Sequence, residues 1–278
     1  MALSTGATAT KTKYMNESRL FQIPSELIAV LLFILILFVN WLGFRFRERQ
    51  AKRNPNEVRD GAGATEGALL GLMALMLAFS FNSASSKFDV RREVIVEEAN
   101  NIGTAILRCD LYPDSIRNLF RADFKKYVEA RINYYNAGDD AGKIADALRQ
   151  TNIYSGNIWR RAAYLFQIPE YRMRSREIIP IINSMIDIVT TRDVGRVAKV
   201  PPIILEVLLL LTIISGFLTG YSQSGKRRNI IMIFGFALMT TITVYLILDL
   251  DRPRRGILNL DAAEQKVVEL RNMFTESK

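Results

Sequence analysis

The chain has 278 residues, 49% of them hydrophobic, with a net charge of +9, one cysteine and no histidine. The absence of histidine excludes Ser-His and Cys-His catalysis and His-ligated metals, and the lone Cys109 excludes an internal disulfide. The positive charge is gathered beside apolar blocks, with no RNP, zinc-finger or helix-turn-helix pattern, so it points to a membrane surface and not to nucleic acid.

Residues 1–26 read as a polar N-terminal arm. The first apolar block, Leu27 to Phe44, has Asn40 as its only strongly polar interruption. It is longer than a signal-peptide core, no small-residue cleavage site follows, and Arg45, Arg47 and Arg49 come directly after it, so it reads as a retained span. Gly67 to Ser86 carries no charge. Ile203 to Tyr221 is apolar apart from Glu206 and a few small polar residues, and Ile230 to Leu248 is free of charge. Each block approaches the roughly 20 residues that carry a helix across a hydrocarbon core, and none shows the polar stripe of a soluble helix. The expected organisation is an arm (1–26), membrane helices one and two (27–84), a charged domain (85–202), membrane helices three and four (203–249) and a C-terminal tail (250–278).

Within 85–202, Phe88, Ile95 and Ile102 recur at seven-residue spacing, which predicts that helix two continues out of the membrane as one long rod. Pro113 ends it, with Asp114 as the N-cap of the next helix. There Ile116, Leu119, Phe120, Phe124, Tyr127 and Val128 mark one apolar face, and Gly138-Asp139-Asp140 breaks the pattern. A third helix runs through Ile144, Leu148, Trp159 and Phe166 before Pro169. The last begins near Glu170, carries Ile178, Ile182, Met185 and Val189, and stops at Pro201-Pro202, with a kink or a broken start expected at Pro180. No stretch alternates as strands do. The expected fold is all-α: four transmembrane helices with a helical extramembrane domain between helices two and three.

Arg45, Arg47, Arg49, Lys52, Arg53 and Arg59 after helix one, and Lys226, Arg227 and Arg228 after helix three, make those loops the cytoplasmic ones on charge. The charged domain then lies outside. Gly63, Gly67 and Gly71, continued by Leu75 and Phe79, form a ladder that allows close helix approach, either within one subunit or around an oligomer axis. It is no phosphate loop, since no lysine follows and no strand precedes. Glu206 reads as interfacial, near a helix N-terminus. Asp249 and Asp251, at a helix C-terminus, are expected to pair with Arg252, Arg254 or Arg255. Glu97 and Glu98 face different directions on a helix and read as solvated surface.

Two segments carry a resemblance: FNSASSKFDVRREVIVEEANNIGTAILRCDLYP (Phe81 to Pro113) and LDLDRPRRG (Leu248 to Gly256). The pairs Phe88-Asp89 and Arg91-Arg92, the steps Glu98-Ala99 and Gly103-Thr104, and the closing Asp251-Arg252-Pro253 resemble the pattern of the bestrophin-like bacterial membrane proteins. Met185-Ile186-Asp187 and Pro201-Pro202 fit as well, and the similarity runs from helix one to the C-terminus. Bestrophins are pentameric anion channels whose second helix lines the pore with an apolar neck and a polar turn. The resemblance therefore implies neck residues Leu75 and Phe79, with Asn82 just beyond. It also implies a homo-oligomer, small anions such as chloride as the permeant species, and the large domain in the cytosol, against the charge count. Arg254 stands where the family has phenylalanine, and the acidic calcium-binding cluster after helix four is missing.

The leading expectation is a homo-oligomeric channel, for anions, in a bacterial inner membrane, with helix two lining the path and Arg91 and Arg92 attracting anions. The alternative is a non-conducting scaffold or envelope sensor that uses the domain surface, including Tyr127, Tyr134 and Tyr135. No catalytic geometry, metal or cofactor is expected, and a membrane enzyme ranks last.

Overall fold

The computed structural model describes residues 24–53, 62–223, 229–252 and 256–275, without side-chain detail at 62 and 63. The arm up to residue 23 lies outside them, as do Arg59, Lys226, Arg227, Arg228, Pro253, Arg254 and Arg255. Among the described residues there is no strand, as the all-α expectation requires. In chain order the helices are α1 (Ser25–Arg53), α2 (Ala62–Arg108), a 3-10 turn (Cys109–Leu111), α3 (Asp114–Asn136), α4 (Ala141–Gln167), α5 (Arg172–Val197), α6 (Pro202–Tyr221), α7 (Ile230–Leu250), α8 (Asp261–Glu269) and a closing 3-10 turn (Leu270–Phe274). Four stretches are long and apolar enough to cross a membrane, and they contain α1, the first part of α2, α6 and α7. The chain divides into two compact units, Met1–Ser85 with Val200–Asp251, and Ser86–Lys199 with Arg252–Lys278.

In the first unit α1 packs against α6 through glycines. A Cβ on Gly220 would lie 2.0 Å from the Asn40 carbonyl oxygen, and one on Gly43 would lie 2.1 Å from that of Phe217. The two backbones touch there, which only glycine permits. Asn40 is buried and donates its Nδ2 to the Gly216 carbonyl at 3.3 Å and to Thr219 Oγ1 at 3.2 Å. The one polar interruption of the first apolar block is thus an interhelical hydrogen bond in an environment without water. Arg47 donates to the Tyr221 carbonyl at 2.9 Å and covers the Tyr221 ring, a cation at the C-terminal end of α6. Asp251 accepts the Val200 amide on both carboxylate oxygens, at 3.1 and 3.0 Å, so the end of α7 is tied to the entry of α6.

The second unit is a helical domain with a continuous apolar core. Ile95 and Ile102 of α2, Phe120 and Phe124 of α3, Ile158 of α4, and Ile178, Ile182 and Met185 of α5 are buried in it, with Phe88 packed at its edge. Leu119 is an exception to the expected α3 face, being 52% exposed. Asp114 does not cap α3: Pro113 occupies the cap position, and Asp114 is the first helical residue, paired with Arg117 at 2.9 Å. A side-chain cap is found at α4, where Asp140 Oδ1 accepts the Gly142 and Lys143 amides at 2.9 and 3.1 Å after a left-handed Gly138 (φ 56°). Helix α5 runs through Pro180 without interruption. The sequence sets 250–278 apart as a tail. In the structure Leu260, Ala263, Val267 and Leu270 enter the domain core. Arg271 grips Glu129 with two bonds of 2.7 and 2.6 Å, and Arg121 donates to the Met273 carbonyl at 2.8 Å. A nine-residue helix with three or four apolar positions is too short to announce its partner by periodicity.

Candidate pore-lining helix

The first part of α2 has two unlike faces. Met73, Ser80 and Ala84 are buried. On another face Leu75 is 51% and Phe79 63% exposed, with Gly67, Gly71 and Asn82 exposed beside them. A Cβ added to Gly67 or Gly71 would meet nothing within 4 Å. Gly63 is helical, but its surroundings lie outside the described residues. Gly67 and Gly71 therefore make no close helix approach among the described residues. That task belongs to Gly43, Gly216 and Gly220, and the G-x-x-x-G spacing of Gly216 and Gly220 in the third apolar block was the readable signal for it. Steps of four, four and three residues return Gly71, Leu75, Phe79 and Asn82 to one side of the helix.

Beyond Ser85, α2 belongs to the second unit, and here two expectations need correction. Arg91 does not present its charge to solvent. It is 7% exposed, with Nε donating to the Gly195 carbonyl at 3.0 Å and Nη2 to the Ala198 carbonyl at 2.6 Å. Lys87 donates to the Lys199 carbonyl at 2.5 Å. These cations satisfy carbonyls at and just beyond the C-terminal end of α5, which have no intrahelical partner. Arg92 and Asp89 are exposed.

Glu98 is the second correction. Glu97 is exposed as expected, but Glu98 is fully buried, because it sits between Ile95 and Ile102 on the core-facing stripe. One Glu98 oxygen accepts Arg131 Nε and the other accepts Arg192 Nη1 at 2.5 Å, while Arg192 Nη2 reaches Glu264 of α8. The Tyr134 ring lies against both guanidinium groups, at 4.6 Å from Arg131 and 5.2 Å from Arg192. Two carboxylates and two guanidiniums thus form a buried cluster of zero net charge. Burial pushes the Glu98 carboxyl up, but Arg131 and Arg192 outweigh it and hold the pKa at about 2. Burial alone would lower the Arg192 pKa; Glu98 and Glu264 raise it above its ordinary value. Gly103 of the Gly-Thr step is where the closing 3-10 turn passes close: a Cβ there would meet the Leu270 side chain at 3.4 Å. Tyr127 and Tyr134 are buried, so they leave the domain surface, and the Tyr135 hydroxyl donates to Asp261.

Apolar spans and a helical domain define an all-α integral membrane protein with four candidate spans. The Bestrophin-like domain matches residues 30–264, and the chain belongs to that family. The crystal structure of a bacterial bestrophin homologue from Klebsiella pneumoniae is similar in fold, with a TM-score of 0.72 at 12% identity, over 90% of this chain and 99% of that one. No curated protein matches the chain significantly.

Proposed function

We propose that the chain is one subunit of a homo-oligomeric ion channel, multi-pass in a bacterial inner membrane, whose pathway is lined by the first part of α2. The observation that carries this is the uncovered face of Gly67, Gly71, Leu75, Phe79 and Asn82. Among the described residues nothing packs on the two glycines, and bare backbone gains nothing from lipid, whereas neighbouring copies can approach closely there. Rings of Leu75 and Phe79 would close the path by dewetting, with Asn82 as the polar step beyond. Membership of the Bestrophin-like family supports a channel-type role, and a pentamer is the assembly to look for. The scaffold alternative loses Tyr127 and Tyr134 from its contact surface. We assign no catalytic chemistry to the chain.

The test is native mass spectrometry of the detergent-extracted chain, followed by flux from proteoliposomes. A closed ring that conducts, with gating or conductance altered by Phe79→Ala, supports the reading. A monomer or dimer, or conductance indifferent to Phe79→Ala, refutes the assignment of α2.

A further inference from the structure

Helix α1 has two opposite faces. Ile36, Asn40, Gly43 and Arg47 recur at steps of four, three and four residues and meet α6. Half a turn away, at about 100° per residue, Val30, Ile34, Phe38, Trp41, Arg45 and Arg49 recur at the same kind of step, and all six are exposed. Lys52, also exposed, continues the stripe three residues on. Its character changes along the helix: apolar from Val30 to Phe38, aromatic at Trp41 and cationic from Arg45 onward. The stretch from Val30 to Trp41 covers about 16 Å of helix at 1.5 Å per residue, one leaflet's share of a hydrocarbon core of about 30 Å. The Arg45 guanidinium lies over the Trp41 ring, 5.3 Å from its centroid, and Trp41 stacks on Phe38 at 6.0 Å. Tryptophan concentrates at headgroup level in membrane helices. Glu48 stands 3.9 Å from Arg45, beyond hydrogen-bonding distance, and accepts from Lys52 at 3.2 Å. Arg49 enters no hydrogen bond or ion pair among the described residues.

We propose that this face of α1 binds an anionic phospholipid, with the headgroup phosphate on Arg45 and Arg49 and one acyl chain laid along Trp41, Phe38, Ile34 and Val30. Every residue of the site belongs to α1, so the site is independent of the role given to α2. The face presents cations of one sign followed by a leaflet's length of apolar surface, and an acidic phospholipid joins an anion to an apolar chain in that order. Lys and Arg at a bilayer surface attract acidic lipid, and the attraction fades within a Debye length of about 8 Å at physiological salt. The Trp41 ring supports the guanidinium of Arg45 through its flat face, which leaves the N–H edge to the phosphate oxygens, and a guanidinium can donate two parallel bonds to a phosphate. Arg49, one turn further on, brings the second cation to the same headgroup.

The experiment is native mass spectrometry of the full-length protein in detergent, titrated with phosphatidylglycerol, with phosphatidylcholine of the same acyl chains, and with inorganic phosphate. The wild type is expected to retain phosphatidylglycerol in preference to phosphatidylcholine. The double substitution R45Q/R49Q is expected to bind phosphatidylglycerol roughly thirtyfold more weakly, the loss that two cations beside an acidic headgroup account for. Trp41→Leu keeps the face apolar and removes the ring under Arg45, and is expected to weaken binding about threefold. Arg53→Gln removes the same charge as Arg49→Gln, but from a position about 90° round the helix from the centre of the stripe, and is expected to cost less. All the substituted side chains are exposed, so an unchanged unfolding temperature verifies that the variants are folded. Equal retention of the two lipids, equal losses for Arg49→Gln and Arg53→Gln, or displacement of the bound lipid by excess inorganic phosphate overturns the proposal. So does a double variant whose oligomer dissociates while each subunit keeps its lipid, because a second copy of the chain then covers the face.

Discussion

Replacing Glu98 with glutamine keeps the shape of the side chain and removes the charge that Arg131 and Arg192 both face. Two independent routes give the size of the effect. Removing one partner of a buried ion pair costs about 3–5 kcal/mol, because the other charge stays buried without compensation. The folded carboxyl has a pKa of about 2 against an ordinary 4.5, which corresponds to about 3 kcal/mol at neutral pH. At roughly 2–4 °C per kcal/mol, the variant should unfold about 6–12 °C below the wild type. Trp159, half-buried against the domain core, reports on this transition by fluorescence, in a Trp41→Phe background that removes the other tryptophan. The pH dependence separates this cause from a packing defect. A depressed carboxyl pKa contributes stability that is complete above the unfolded value of 4.5 and is lost as pH falls through about 2. The gap between wild type and variant should be full at pH 7 and under about half of that at pH 3. A gap below about 2 °C at pH 7, or an equal gap at both pH values, would refute the reasoning.

Arg91→Ala leaves the carbonyls of Gly195 and Ala198 without their donor, at a cost of about 1–3 kcal/mol, and amide exchange should accelerate over residues 190–200 while the rest of the domain keeps its protection. Gly220→Ala drives a methyl group into the Asn40 carbonyl, so α1 and α6 must separate; yield of folded protein in detergent should collapse, whereas Gly71→Ala, which meets open space in the chain, should leave monomer folding intact and show its effect in oligomer mass. Truncation after Asn259 removes Leu260, Ala263, Val267 and Leu270 from the domain core, and limited proteolysis should then cut within residues 114–197, which are protected in the full chain.

The spans were legible because a hydrocarbon layer imposes a long charge-free run, a demand that no tertiary detail relaxes. Helices α3, α4 and α5 were legible for a related reason, since Phe120 and Phe124 or Ile178 and Ile182 repeat at helical period on buried faces. What escaped depends on partners distant in sequence. Glu98 meets Arg131 and Arg192, which lie 33 and 94 residues away, and nothing local to Glu98 names them. Its place between Ile95 and Ile102 did mark it as a charge on a core stripe, and that was the signal to follow. Arg91 was misread for the opposite reason. A basic residue on a helix looks solvated until the C-terminal carbonyls of another helix arrive beside it, and the approach of α5 is invisible in the residues around Arg91. The glycines show a further limit: the same small-residue spacing marks Gly216 and Gly220, which face α1, and Gly67 and Gly71, which meet nothing within 4 Å among the described residues.

The domain portion of α2 is best understood as a helix with two separate duties. Lys87, Arg91, Ile95, Glu98 and Ile102 recur at three- and four-residue steps and fasten one side to α5, to Arg131 of α3 and to the core. Asp89, Glu93 and Glu97 occupy another side, exposed and outside every ion pair among the described residues. Charges of both signs on the fastening side, Lys87, Arg91 and Glu98, are held by partners, whereas the acids on the other side stay exposed. The separation has an experimental consequence, since residues on different sides with no shared partner should behave additively. Combining Glu98→Gln with Glu93→Gln should lower the unfolding temperature by no more than Glu98→Gln does alone. A coupling energy above about 0.5 kcal/mol between the two would mean that the two sides share a network, and the division of α2 into a fastening side and an exposed side would be wrong.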